Sequence, residues 1–333
     1  MPAYPSSNIR TMLERVLPGR IQGCIDLAKM SRWRIGGTAR YLAEPDTETE
    51  VARLLKLLQE LVVPYLVIGH TSNLLFDDQG FDGVLVRLSS NFSSISQLDG
   101  SRVEVGGFAW TPAVAHRAAT WGLGGVAHIV GIPGSFGGLI AMNGGSLRKW
   151  IGSHVDRVRV VTLDGTRVEL SQKECGFSYR NSVFQEAGAI ITSAVLALEP
   201  SDRHTQRQEM LKILQDRSKK FPRKEPNCGS VFLSNPDMYK IVGPPGKAIE
   251  EAGLKGYREN NARLSSHHAN FIVNLGGATA SDVLMLVHKA RGDVYRNTGY
   301  LMDTEVKFVS RSGLVSSVHV EAERRFGQIV ASG

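Results

Sequence analysis

Cysteine is scarce in this chain: three in 333 residues, at Cys24, Cys175 and Cys228. An odd and widely spaced set argues against a disulfide framework and a zinc knuckle, and it suits a reducing cytoplasm. Long apolar runs are missing too. The longest, such as 189–198, are strand-sized and well short of the ~20 residues that span a bilayer. No basic segment followed by an apolar one opens the N-terminus, so no secretory signal is expected. Aromatic residues make up only 7%, and no aromatic-rich basic stripe accompanies the net charge of +7. Basic residues are scattered apart from Arg217-Ser218-Lys219-Lys220-Phe221-Pro222-Arg223-Lys224, so nucleic acid is not an expected partner. That cluster reads as a solvated helix end and as a local field for an anionic small molecule such as a nucleotide diphosphate.

With 42% hydrophobic and 21% charged residues, the composition is that of a globular protein, long enough for two or three domains. Val51, Leu54, Leu55, Leu58 and Val62 recur at helical spacing, predicting a helix over 47–62 with Asp46 or Thr47 as N-cap. Strands are expected at 65–68 and 84–88, giving a β-α-β arrangement of roughly 30 residues or more. Further strands are read at 102–105, 158–163, 190–198, 270–274 and 305–309. Helices are read at 112–121, 280–294 and over the polar stretch 201–221, with a short one after Pro244-Pro245. The frequent short strands favour α+β over a doubly wound sheet. The expected division is 1–90, 91–203, 204–310 and a tail at 311–333 that carries little signal.

Glycine is what the chain has in concentration. Gly131-Ile132-Pro133-Gly134-Ser135-Phe136-Gly137-Gly138 runs into Ala141-Met142-Asn143-Gly144-Gly145-Ser146 with almost no charge. Backbone N–H groups in such a segment can approach a phosphate or a flat ring unhindered. The spacing is neither G-x-G-x-x-G nor G-x-x-x-x-G-K-[ST], so the common nucleotide folds do not claim it. A second glycine turn, Gly69-His70-Thr71-Ser72-Asn73, also follows a strand. Tight turns alone are the plainer explanation for loose glycines; two charge-poor loops after strands favour a cofactor cradle. Cys228 lacks a Cys–His–Asn/Asp context, and Gly243-Pro244-Pro245-Gly246-Lys247 has the wrong spacing for a phosphate loop.

Several separated motifs occur together in order. They are Arg34-Ile35-Gly36-Gly37, Gly69–Leu75, Gly131–Gly145, Tyr179-Arg180-Asn181-Ser182-Val183-Phe184 and Gly229-Ser230-Val231-Phe232…Asn235-Pro236. Gly253-Leu254-Lys255-Gly256, His268-Ala269-Asn270-Phe271 and Glu305-Val306 follow. This set resembles the UDP-N-acetylenolpyruvoylglucosamine reductase family over roughly residues 28–310. The resemblance implies an α+β fold: an FAD-binding pair of subdomains of the vanillyl-alcohol-oxidase type and a C-terminal substrate domain.

By resemblance, FAD is held by Arg34, Ile35, Gly36, Gly37, Gly69, His70, Thr71, Ser72, Asn73 and Leu74, and by Gly131, Ile132, Pro133, Gly134, Ser135, Gly137, Gly138, Asn143 and Gly144. The family uses NADPH to reduce FAD, and hydride then reaches C3 of the enolpyruvyl ether. Negative charge develops at C2 and into the carboxylate, so the site needs cations or acids there. Arg180 and Glu305 match the residues that stabilise this enol-like state, and Ser230 matches the serine that protonates C2. Beside a carboxylate, Glu305 would have to be protonated or paired with Arg180. Tyr179, Asn235, Lys255 and His268 match positions near the UDP-sugar. No metal, membrane or nucleic-acid partner is implied, and the expected state is a monomer or weak homo-oligomer. Taken singly, an arginine, serine or glutamate has a plainer surface role.

The short gap between Phe184 and Ile190 matches the family's shorter form, which lacks a tyrosine-bearing insertion. His70-Thr71 stands where small residues are usual, and some flavoproteins of this superfamily link FAD covalently through a histidine in this loop. Glu259-Asn260-Asn261-Ala262-Arg263-Leu264-Ser265 replaces a glycine-containing turn that asparagine can still adopt, and Asp303 replaces a glutamate. These departures leave open a paralogous FAD oxidase or dehydrogenase acting on a related nucleotide-sugar or a small molecule.

Overall fold

The computed structural model describes residues 6–185, 188–234 and 236–329. The chain forms two compact units, each built from separate stretches: Met1–Gly23, Tyr41–His70 and Gly83–Arg217 in one, Cys24–Arg40, Thr71–Asp82 and Ser218–Gly333 in the other.

In the first unit, helix Glu48–Glu60 starts where the periodicity places it, with Thr47 accepting the Glu50 N–H as N-cap. Its Val51, Leu54, Leu55 and Leu58 pack with Ile9, Leu13 and Leu17. Tyr65–Val67 then pairs in parallel with 84–86; both strands follow the helix and no helix lies between them, so the pair is not the β-α-β unit expected. A five-stranded antiparallel sheet follows, in the order Arg167–Ser171, Val155–Val161, Ile190–Ala197, Arg102–Gly106, Ile95–Gln97. Helices Thr111–Thr120 and Phe136–Ala141 share its core through Val114, Ala118, Phe136 and Ile140. The latter helix was not expected inside the glycine-dense stretch. Ser135 starts it by accepting the Gly138 N–H, and the burial of Phe136, Leu139 and Ile140 offsets the weak helix propensity of its glycines.

In the second unit, Arg258–Glu259, Ala262–Leu264 and Ile272–Asn274 form an antiparallel sheet. Helix Ala280–Thr298 packs on it, opened by a Thr279–Asp282 capping box and stopped by Gly299 at φ 71°. Asn260 does take a left-handed φ of 46°. The expected strand at 305–309 is shorter, Lys307–Val309, flanked by Val315–Ser317 and, in parallel, by Leu74–Phe76. The tail is therefore structured: Val315–Ser317 pairs, and helix Val318–Phe326 buries Val318 and Ala322 in the same core as Val283 and Val287. Polar neighbours dilute this apolar pattern, and only the contacts reveal it.

No helix among the described residues is long and apolar enough to cross a membrane. Nor do these residues contain a cluster of three or more His, Cys, Asp or Glu that could hold a metal ion.

Candidate active site

The first unit contributes the glycine loops up to His70. Gly69 admits no side chain, because a Cβ there would sit 2.9 Å from the Ser135 Cβ and closer still to its hydroxyl. The two glycine loops thus meet where the Ser135 side chain packs on the Gly69 backbone. The imidazole of His70 stacks on Phe108 with centroids 4.9 Å apart and planes 9° apart, and meets Trp110 edge-on at 5.0 Å. His70 is thus a half-buried member of an aromatic group. Packing is the plainer role for it, and FAD is expected to be held without a covalent bond. Acid precipitation of the yellow protein should therefore release the colour to the supernatant; a yellow pellet overturns this.

Gly131 approaches the guanidinium stem of Arg217 closely, and burial lowers the Arg217 pKa to about 10. One end of the basic cluster is thus half-buried rather than fully solvated. Phe136 and Gly137 donate their N–H groups to Ala109 and Gly107 at 2.9 and 2.7 Å. Gly134 and Ser135 are buried, and among the described residues their N–H groups reach no acceptor. Buried amides flanked by small side chains fit the diphosphate of FAD. Asn143, buried at φ 40°, accepts the Gly152 N–H at 3.0 Å and donates to the Ser178 carbonyl at 2.8 Å. That second bond ties the cradle to the hairpin carrying Tyr179 and Arg180, in which Ser178 pairs with Asn181. Arg180 has a left-handed φ of 54°, and Gln185 holds its carbonyl at 2.8 Å. Tyr179 is exposed rather than a core aromatic.

In the second unit, the Arg34–Gly37 turn is anchored from beneath. The indole N–H of fully buried Trp33 donates to the Ile272 carbonyl at 2.7 Å, and Asn274 donates to the Trp33 and Arg34 carbonyls. Ser31 clasps Ile35 by both its N–H and its carbonyl. Gly36, at φ 131°, has no room for a side chain: a Cβ would lie 2.8 Å from that of Leu27 and 2.9 Å from that of Phe76.

Ser230 and Glu305, 75 positions apart in sequence, stand on adjacent extended segments. The Glu305 N–H donates to the Val231 carbonyl at 3.0 Å, the Leu233 N–H to the Asp303 carbonyl at 2.9 Å, and Phe232 bridges to Thr304. Asn73 joins them from the first glycine loop, its amide donating to the Glu305 carbonyl at 2.9 Å. The Cys228 thiol lies 3.6 Å from the Leu74 carbonyl and 3.7 Å from that of Thr71. Burial pushes its pKa up to about 12, so it is no nucleophile.

Lys255 pairs with Glu250 at 2.7 Å, both side chains being exposed. His268 is half-buried between the edges of Phe221 and Phe271, and burial lowers its pKa. Arg263 pairs with Glu225 at 3.4 Å. Asn235 lies outside the described residues. Sequence reasoning missed Asn270, whose carbonyl accepts the Val231 N–H and whose side chain holds both the N–H and the carbonyl of Phe232. Asn270 and Asn274 flanking the apolar run Phe271–Val273 were the available signal, since amides buried there must satisfy backbone groups.

Two charge-poor glycine loops whose buried amides fit a diphosphate mark the FAD-binding class of oxidoreductases. Residues 39–171 match the family described as an FAD binding domain, and 221–309 that described as UDP-N-acetylenolpyruvoylglucosamine reductase, C-terminal domain. UDP-N-acetylenolpyruvoylglucosamine reductase 1 of Corynebacterium glutamicum is 44% identical over 97% of this chain and 96% of its own. The Symbiobacterium thermophilum reductase 2 is 41% identical over 87% and 92%. The solved Thermus caldophilus reductase superposes with a TM-score of 0.74 at 30% identity, over 87% of this chain and 98% of its own. The chain belongs to the UDP-N-acetylenolpyruvoylglucosamine reductase family.

Proposed function

We infer that this chain reduces the enolpyruvyl ether of UDP-N-acetylglucosamine enolpyruvate to UDP-N-acetylmuramate, a precursor of peptidoglycan, with NADPH as reductant. The observation that carries the reading is the backbone bond from the Glu305 N–H to the carbonyl of Val231, the residue after Ser230, which sets Ser230 and Glu305 on adjacent segments. The chemistry supplied by bound FAD is hydride exchange, taken from NADPH and given to C3 of the ether. The Gly69–Asn73 and Gly131–Gly138 loops, with Arg34–Gly37, bind and orient that group through backbone donors. Arg180 offsets the charge that collects on the substrate carboxylate, and Glu305 shares that task. Ser230 hands a proton to C2; a hydroxyl is a weak acid, so it acts only against a strongly basic carbon. Tyr179, Asn235, Lys255 and His268 hold the UDP-sugar.

In this reading residues 1–90 and 91–203 form the flavin-holding subdomains, 204–310 the substrate domain and 311–333 a tail. The enzyme works in the cytoplasm as a monomer or weak homo-oligomer. The test is anaerobic: NADPH should bleach the flavin, and UDP-N-acetylglucosamine enolpyruvate should restore it. A flavin that ignores NADPH and reoxidises only in oxygen would identify an oxidase on the same fold, and one that bleaches yet ignores this substrate would identify a paralogue.

A further inference from the structure

The segment 302–306 alternates in burial: Met302, Thr304 and Val306 are buried, while Asp303 is exposed and Glu305 half-buried. Its backbone alternates as well. Asp303 and Glu305 bond to the segment 231–233 on one side, whereas the Thr304 N–H faces the opposite way. What it meets there is His319, at the start of the last helix. His319 Nδ1 accepts the Thr304 N–H at 3.1 Å and lies 2.8 Å from the Thr304 hydroxyl. The His319 N–H returns a bond to that hydroxyl at 3.3 Å, and the Val318 N–H donates to the Val306 carbonyl at 3.1 Å.

The tautomer follows from these partners. A backbone N–H can only donate, so Nδ1 must carry the lone pair and the ring proton sits on Nε2. Nε2 lies 3.5 Å from Asp303. Burial first, then the nearby Arg291 charge, lowers the His319 pKa and keeps the acceptor form. Arg291, itself buried, pairs with Glu323 and holds the Met302 carbonyl. The helix of the tail thus grips the segment that carries half-buried Glu305.

We propose that His319 is a positioning residue for Glu305: by accepting the buried Thr304 N–H it fixes the backbone segment that aims the Glu305 carboxyl. The proposal rests on Glu305 acting on the substrate as read above. Without an acceptor, the Thr304 N–H is buried and unpaired, and the segment must shift to satisfy it. Displacements of about 1 Å in a reacting group cost up to roughly a hundredfold in rate.

Asparagine can place a carbonyl oxygen near the position of Nδ1, and glutamine places one nearer Nε2. His319→Asn should therefore stay close to the parent. His319→Gln and His319→Leu should bind FAD and be reduced by NADPH at near-parental rates, while reoxidation by the enolpyruvyl substrate slows roughly tenfold to a hundredfold. Should His319→Leu fail to fold, the Asn–Gln comparison decides. Glu305→Gln is the control. If it reoxidises as fast as the parent, the reading of Glu305 is wrong. If it is slow while His319→Gln is fast, or if the His319 variants lose both half-reactions equally, the positioning role is wrong and that reading survives.

Discussion

Ser230→Ala is expected to leave bleaching of the flavin by NADPH nearly unchanged and to slow its recovery by the enolpyruvyl substrate about 10²–10⁴-fold, the usual contribution of a positioned acid. The physical reason is local. Ser230 follows Gly229, whose φ of 82° suits glycine, and it bridges to Phe271 at the edge of a pinned backbone. Removing one oxygen disturbs none of the hydrogen bonds that hold Val231 and Phe232. The protein should keep its fold, its FAD and its first half-reaction. Stopped-flow traces of the two half-reactions taken separately check this. An equal fall in both would remove Ser230 from the proton step.

Trp33→Ala is expected to destabilise the protein by about 3–5 kcal/mol, as large-to-small changes at buried tryptophans do. Trp33 is fully buried beside Ile35, Leu75 and Ile272. Its loss would open a cavity and strip the Ile272 carbonyl of its donor. Domain stabilities are commonly only about 5–15 kcal/mol, so the thermal midpoint should fall by several degrees or more. Trp33→Phe separates the causes: it retains most of the packing and loses the N–H, so its cost should be about 1–3 kcal/mol. Equal midpoints for the parent and Trp33→Ala would mean that the Arg34–Gly37 turn does not depend on this anchor.

Trp33 also marks where sequence reading stops. The helix read at 47–62 was legible over Glu48–Glu60 because its apolar residues repeat with the helical period and Thr47 is a natural cap. Val62 lies beyond its end, exposed and at a left-handed φ of 52°. The glycine loops were legible because small residues in a charge-poor run have few other uses. His319 was not legible as a support, and Asn270 and Asn274 signalled a need for backbone partners without saying which. Their partners lie on the backbone of distant segments, and a carbonyl at Phe232 or an N–H at Thr304 leaves no mark on side-chain identity. The ion pair of Lys255 with Glu250 was likewise invisible in the sequence.

By itself, the sequence determined the family and the cofactor class, because motif order and residue chemistry survive without coordinates. Tertiary structure decided which residues meet. Gly69 proved to touch Ser135, the helix inside the glycine stretch proved to rest on buried Phe136 and Ile140, and the tail proved to hold the segment of Glu305. Such pairings depend on backbone groups seeking partners across long separations. Buried N–H and C=O groups must be satisfied somewhere, and only the folded chain shows where.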